Sequence, residues 1–211
     1  MTGAQMITEW RLGFDVIASS AAPGFTDTEV YSLLNRGYDY LILDLYKQKE
    51  LKLLQSLIKE DAATLTLASN IYSGSLPVDY WLLYNVSTTV TRTSLTSTGF
   101  IPTHENISGV VLDCDIIDPK EALQFLPNSF NSLRVWKNPK VYLETNNINI
   151  IVDDYTTITD NKVIYIKKRL DISNSQTCEL QESLHRLVVD KAIDIAKTII
   201  NIQEMQSTKQ S

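Results

Sequence analysis

Apolar residues in the first third of the chain recur at three- and four-residue steps, the period of a helix with one buried face. Ile7, Trp10, Phe14, Ile17 and Ala18 form the first such stripe. Pro23 ends it, because the residue before a proline avoids helical backbone. After Ala22-Pro23-Gly24-Phe25, Thr26 and Glu29 spell a capping box for a second helix. Phe25 and Val30 have the spacing of a hydrophobic staple around that cap. Val30, Leu33, Leu34, Tyr38, Leu41, Ile42 and Leu45 make the second buried stripe. A third helix is expected over Glu50 to Ala63, from Leu51, Leu54, Leu57 and Ile58. Short connections make these helices an antiparallel hairpin or small bundle.

The pattern changes after Leu67. Residues 70–93 are rich in Tyr, Val, Thr and Trp, with turn residues at Ser73-Gly74-Ser75 and Pro77, and read as strands. Val110-Val111-Leu112 marks another strand. Asp118-Pro119-Lys120-Glu121 is a helix start with Asp as cap and Pro at the first position, and Pro127-Asn128-Ser129 keeps that helix short. Val141 to Leu143, Ile148 to Val152 and Val163 to Ile166 predict three further strands, the last two separated by a turn near Asp160-Asn161. A final helix starts at Leu184, with Val188, Ala192, Ile195, Ile199 and Ile202 on its apolar side. Arg186, Asp190, Asp194 and Lys197 fall on the other side.

The expected fold is therefore α+β. An N-terminal helical unit spans residues 1–68, a β-rich region with one short helix 69–176, and a C-terminal helix 177–202 that returns to the first unit. The return follows because the last helix has a broad apolar face that needs a partner. Residues 203–211 are polar and are expected to form a flexible tail.

Composition adds bounds to this picture. With 44% hydrophobic and 21% charged residues, the chain has a globular balance and enough length for a real core. A net charge of −6 argues against a protein whose main work is gripping phosphates. It suits a soluble subunit, or the wall of a passage through which nucleic acid slides without sticking. The first ten residues lack a cationic stretch followed by an apolar run, so no secretion signal is expected. Tyr80-Trp81-Leu82-Leu83-Tyr84, the densest apolar run, is too short to span a bilayer, so no membrane partner is expected. Cys114 and Cys178 lack metal-site spacing and read as buried free thiols.

Chemistry-bearing constellations are sparse. His104 and His185 are the only histidines, and a solvated loop position and a polar surface or interface position are expected for them. Asp113, Asp115 and Asp118 are the most suggestive acidic group, since the first two would share a face of one strand. A helix cap at Asp118 beside an exposed alternating face explains them without a metal. Asp153-Asp154 and Asp160 lack calcium-loop spacing and read as solvated turns. No GxSxG, GxGxxG or Walker spacing occurs among the seven glycines. Lys167-Lys168-Arg169, the single basic run, fits a charged edge-strand end better than a phosphate contact. Trp10, Trp81 and Trp136 read as core or interface aromatics.

Four segments in order resemble virion structural proteins of the crAss-like tailed phages, and more broadly the head-to-tail connector or adaptor proteins that stack beneath a phage portal. The first runs from Phe14-Asp15-Val16-Ile17 through Ala22-Pro23-Gly24-Phe25 to Glu29-Val30-Tyr31 and Leu33-Leu34-Asn35-Arg36. Leu76-Pro77-Val78-Asp79-Tyr80-Trp81 is the second. The third joins Ile116-Ile117-Asp118 to Asn128-Ser129-Phe130 and Leu133-Arg134-Val135-Trp136. The fourth runs from Ile164-Tyr165-Ile166-Lys167-Lys168-Arg169 through Cys178-Glu179-Leu180 and Leu184-His185 to Ala192 and Ala196. Arg169-Leu170 stands where such proteins often carry a proline, and Asn128-Ser129-Phe130 lacks their usual Pro before Phe.

The resemblance implies a ring-forming neck subunit, dodecameric to match a portal, assembled in the bacterial host cytoplasm and retained in the virion. It implies portal and adjacent neck or tail rings as partners, with genome DNA passing through the lumen without sequence-specific binding. No catalytic residue, metal or cofactor follows from it, so an enzyme is not expected. Another minor virion ring or tail-proximal protein, or a soluble ligand-binding module, are the alternatives.

Overall fold

A computed structural model describes residues 1–15, 24–92, 107–125, 138–153 and 155–208. It is a mixed α+β chain with helices at both ends and strands between them. Two compact units divide it: Met1–Leu57 with Arg169–Ser211, and Ile58–Lys168. The first unit is thus built from both ends of the chain, and the second is inserted into it. Among the described residues no helix is long and apolar enough to cross a membrane.

In the helical unit, α1 (Gly3–Asp15) buries Met6, Ile7, Trp10 and Phe14. The Trp10 ring stacks on Phe14 at 4.7 Å, and Phe25 meets Trp10 and Phe14 edge-on at 5.5 and 5.4 Å. Ile17, Ala18 and the Ala22-Pro23 break lie outside the described residues. The expected capping box opens α2 (Asp27–Lys47). Glu29 N–H donates to Thr26 Oγ1 at 3.3 Å, and Thr26 N–H donates to Glu29 Oε2 at 2.8 Å. Every residue of the predicted α2 stripe is buried.

The third helix expected over 50–63 does not form. Instead α2 ends at Gln48 in a Schellman arrangement, with Glu50 N–H on Leu45 O at 2.9 Å and Lys49 N–H on Tyr46 O at 3.1 Å. Lys49 takes the left-handed position (φ 60°) where glycine is preferred, which hid this stop signal in the sequence. A single 3-10 turn, Leu51–Leu54, then buries Leu54, with Leu57 buried behind it. Ile58 onward pairs into a sheet, so the second unit begins at residue 58 rather than 69. Replacing Lys49 by Gly relieves the left-handed cost and is expected to raise stability by roughly 1 kcal/mol. A urea titration of the purified protein measures it, and a loss of stability would refute the cap assignment.

The last helix, α4 (Glu182–Thr208), packs on both α2 and α1. Its backbone runs past Ile202 and stays helical to Thr208, where a flexible tail was expected. Gln203 to Thr208 carries no proline or glycine to stop propagation. Its buried stripe centres on Leu184, Val188, Val189, Ala192, Ile193 and Ala196. Ile195 and Ile199 sit only half-buried at the side of that stripe.

The inserted unit holds two sheets. Its strands are β1 (Ile58–Asp61), β2 (Thr66–Ala68), β3 (Ile71–Ser75), β4 (Tyr80–Arg92), β5 (Ile107–Asp113), β6 (Asp115–Ile116), β7 (Lys140–Glu144), β8 (Asn147–Ile151) and β9 (Thr156–Lys167). One sheet has the order β1-β9-β4-β5, the other β2-β3-β8-β7-β6, and every pairing is antiparallel except β6 with β7. Tyr72, Val141, Ile148 and Ile150 of one sheet share a core with Leu83, Val86, Val163 and Tyr165 of the other. The short α3 (Pro119–Ala122), capped by Asp118 as expected, sets Ala122 against Ile151 on the far side of the second sheet.

Two expected turns fall elsewhere. Ser73-Gly74-Ser75 lies inside β3, and the turn is the two-residue Ser69-Asn70, both at positive φ, as a tight hairpin requires. Gly74 is needed because a Cβ there would sit 2.7 Å from the Thr64 carbonyl oxygen. Asp160-Asn161 lies inside β9, next to a register shift against β4. The Asn161 amide accepts Ala63 N–H at 2.9 Å and donates to Ala63 O at 2.8 Å, pinning the chain beyond β1.

Candidate functional site

A groove of about 790 Å³ runs along α2 and α4 of the helical unit. These helices run antiparallel: Gln181 reaches the Lys52 carbonyl, Lys191 bonds Asp44 at 2.7 Å, and Gly37 abuts Val188 and Ala192. A Cβ on Gly37 would lie 2.8 Å from Val188 O and Ala192 N, so only glycine permits this approach. The floor carries Leu43, Ile195 and Ile199, and Tyr40, 56% exposed, stands at its edge. An apolar floor with Tyr and Arg at the margin is the composition of a protein-binding patch.

Beside the groove lies a side chain with many partners. Arg169, 8% exposed, forks onto Asp39 at 2.7 and 2.9 Å, bonds Asp171 at 2.5 Å, and donates to Asn35 Oδ1 and O at 3.0 and 2.9 Å. Its guanidinium also lies over the Tyr38 ring at 4.9 Å. Burial opposes the cation, but the bonds and charges of Asp39 and Asp171 outweigh it and hold its pKa above the ordinary value. Asn35 further pairs with Ile172 N–H and O at 2.8 and 3.1 Å. Together they fasten residues 169–172 onto α2, which is why this stretch belongs to the helical unit and not to the β region.

The basic run is therefore not the end of an edge strand. β9 lies between β1 and β4, Lys168 N–H donates to Asp79 O at 2.6 Å, and Arg169 turns inward. His185, expected at a polar surface, is 5% exposed. Its Nε2–H faces Leu180 O at 2.9 Å and its Nδ1 faces the Met1 amine at 2.9 Å, so both ring nitrogens find partners inside the unit.

Asp113 and Asp115 do not share one strand face. The chain leaves the first sheet and enters the second at Cys114, whose N–H donates to Val86 O while Asp115 N–H donates to Pro139 O. Asp113 accepts from Asn85 at 3.3 Å, Asp115 pairs with Lys140, and Asp118 caps α3. Among the described residues no three His, Cys, Asp or Glu side chains form a metal-binding cluster.

Asp153 is not in a solvated turn. It pairs with Arg92 at 2.7 Å, the two side chains only 3% and 1% exposed, and its other oxygen accepts Tyr155 N–H at 3.2 Å. Nothing in the local pattern marks this long-range pair. Asp160 is exposed within β9, and Asp154 lies outside the described residues.

Cys114 and Cys178 are free and buried in separate units; burial pushes the Cys114 thiol up to about 12 and raises Cys178 as well. Trp10 is a core residue and Trp81 is half-buried in β4, while His104 and Trp136 lie outside the described residues. No protein-family model matches this chain, and no curated protein matches it. What the described geometry offers is surface: a groove on the helical unit, and an inserted β unit.

Proposed function

We propose that this chain is a structural subunit of a tailed-phage neck, forming a head-to-tail connector ring below the portal. The observation that carries the reading is the insertion of a β unit into a helical unit made from both chain ends. That division suits the resemblance of the four ordered segments, with helices building the ring and strands reaching the adjoining layers. A closed ring leaves no subunit surface unmatched, so assembly ends at a fixed number, twelve copies where the portal has twelve. The net charge of −6 suits a wall past which genome DNA moves without adhering. The function is assembly in the host cytoplasm and retention in the virion, with no catalytic step and no cofactor.

Electron microscopy of the purified protein mixed with its cognate portal tests this. A ring stacked coaxially on the portal is the expected image. Undecorated portals under capsid-assembly conditions, or virions whose collar lacks the protein, would overturn the proposal.

A further inference from the structure

Two features of the helical unit, an exposed apolar side chain flanked by acids and an apolar groove with an arginine, lie on different sides of α4. Lys191, Asp194, Ile195 and Thr198 of α4 face the α2 groove, whereas Arg186, Val189, Asp190 and Ile193 face α1. On the α1 side, Leu12 is 61% exposed, an apolar knob with Glu9 and Asp15 one turn away on either side. Neither carboxylate has an ion-pair partner among the described residues. On the α2 side the groove supplies an apolar floor and Arg36, one turn from Tyr40. The groove's acids are already compensated within the chain: Asp39 by Arg169, Asp44 by Lys191 and Asp194 by Lys197. Arg36 is left as the groove charge without an ion pair among the described residues.

We infer that the α2–α4 groove receives the Leu12 knob of a second copy of this chain, with Arg36 meeting Glu9 and Asp15 across the contact. Charge complementarity selects the occupant: on the Leu12 side Glu9, Asp15 and Asp190 outnumber Arg186, whereas in the groove Arg36 is the charge left over among the described residues. Such a contact is heterologous, using one patch as donor and another as acceptor, and it propagates head to tail until rotation closes it. The inference rests on the ring reading and names the surface through which the ring forms. It makes Leu12, Leu43, Ile195 and Ile199 contact residues, with Arg36 setting register.

The test uses the full chain with one new surface thiol. Thr8→Cys protein, with the thiol one helical turn from the intact Leu12, is mixed with Tyr40→Cys protein and treated with a short bis-maleimide, with and without portal. Both positions are exposed and the native Cys114 and Cys178 are buried, so the added thiols react selectively. The expected product is a mixed cross-linked pair. Arg36→Glu in the Tyr40→Cys chain should lower its yield roughly tenfold. Adding Glu9→Arg and Asp15→Arg to the Thr8→Cys chain should restore it. No mixed pair in either condition overturns the inference, as does Tyr40→Cys pairing with itself equally well, which would mean face-to-face dimers. Tyr40→Cys that portal alone shields from maleimide would make the portal the occupant and also overturn it. Rings on the portal without mixed pairs would sink this contact and leave the neck proposal standing. Mixed pairs without portal decoration would do the reverse.

Discussion

Replacing Arg92 by Met costs the β unit about 3–5 kcal/mol, because it strands a buried carboxylate. Asp153 is 3% exposed on its side chain and its countercharge is the Arg92 guanidinium at 2.7 Å. Once that cation is gone, the carboxylate must bury its charge against the Tyr155 N–H at 3.2 Å, or bind a proton. The double variant Arg92→Met with Asp153→Leu should recover most of the loss, since it removes both charges and leaves apolar volume. Urea titration gives the stability changes, and amide exchange in β4 and β8 locates them. A loss within about 0.5 kcal/mol for the single variant, the range of ordinary surface changes, would mean the pair is hydrated in solution. Strong positive coupling between the two substitutions is the signature that separates the ion pair from simple packing loss.

The helices carrying strong periodicity and local caps were legible in the sequence. Thr26 and Glu29 announce the start of α2 and Asp118-Pro119 that of α3, because caps are written in neighbouring residues. Strands β4, β7, β8 and the second half of β9 followed from β-branched and aromatic density. What failed was set by residues distant in sequence. Leu51, Leu54 and Leu57 have helical spacing, yet Ile58 finds Ile166 across a sheet, and Lys49 stops α2 without the glycine that normally signals it. Asn161 looks like a turn residue until its partner, Ala63, is in view.

The candidate surface was half legible. The α2 stripe was read correctly, but the apolar positions of α4 were assigned to one face, where the fold splits them. Val188, Ala192 and Ala196 go to the core, and Ile195 and Ile199 to the groove. Small residues at 192 and 196 were the available clue, because they mark where another backbone comes close. Arg169 was read as one of three surface cations, since no local pattern distinguishes a charge bound for Asp39, 130 residues away. Asp153 was missed for the same reason.

Gly37→Val should cost the helical unit about 3 kcal/mol. A Cβ at residue 37 would lie 2.8 Å from Val188 O and Ala192 N and 3.2 Å from Ala192 Cα, all backbone atoms that no rotamer change can move. The helices must therefore separate, exposing part of the core they share and widening the groove edge at Tyr40 and Ile195. Gly37→Ala isolates the cause. In an exposed helix the change to Ala is worth about 1 kcal/mol in favour of folding, so a net loss reports the close approach alone. Gly24→Ala serves as the comparison, because among the described residues nothing would lie within 4 Å of a Cβ there. Thermal melts give the size of the loss, and faster amide exchange confined to α2 and α4 gives its place. Stabilisation by Gly37→Ala would mean that the two backbones stand farther apart in solution. The groove would then be shallower than a knob such as Leu12 requires.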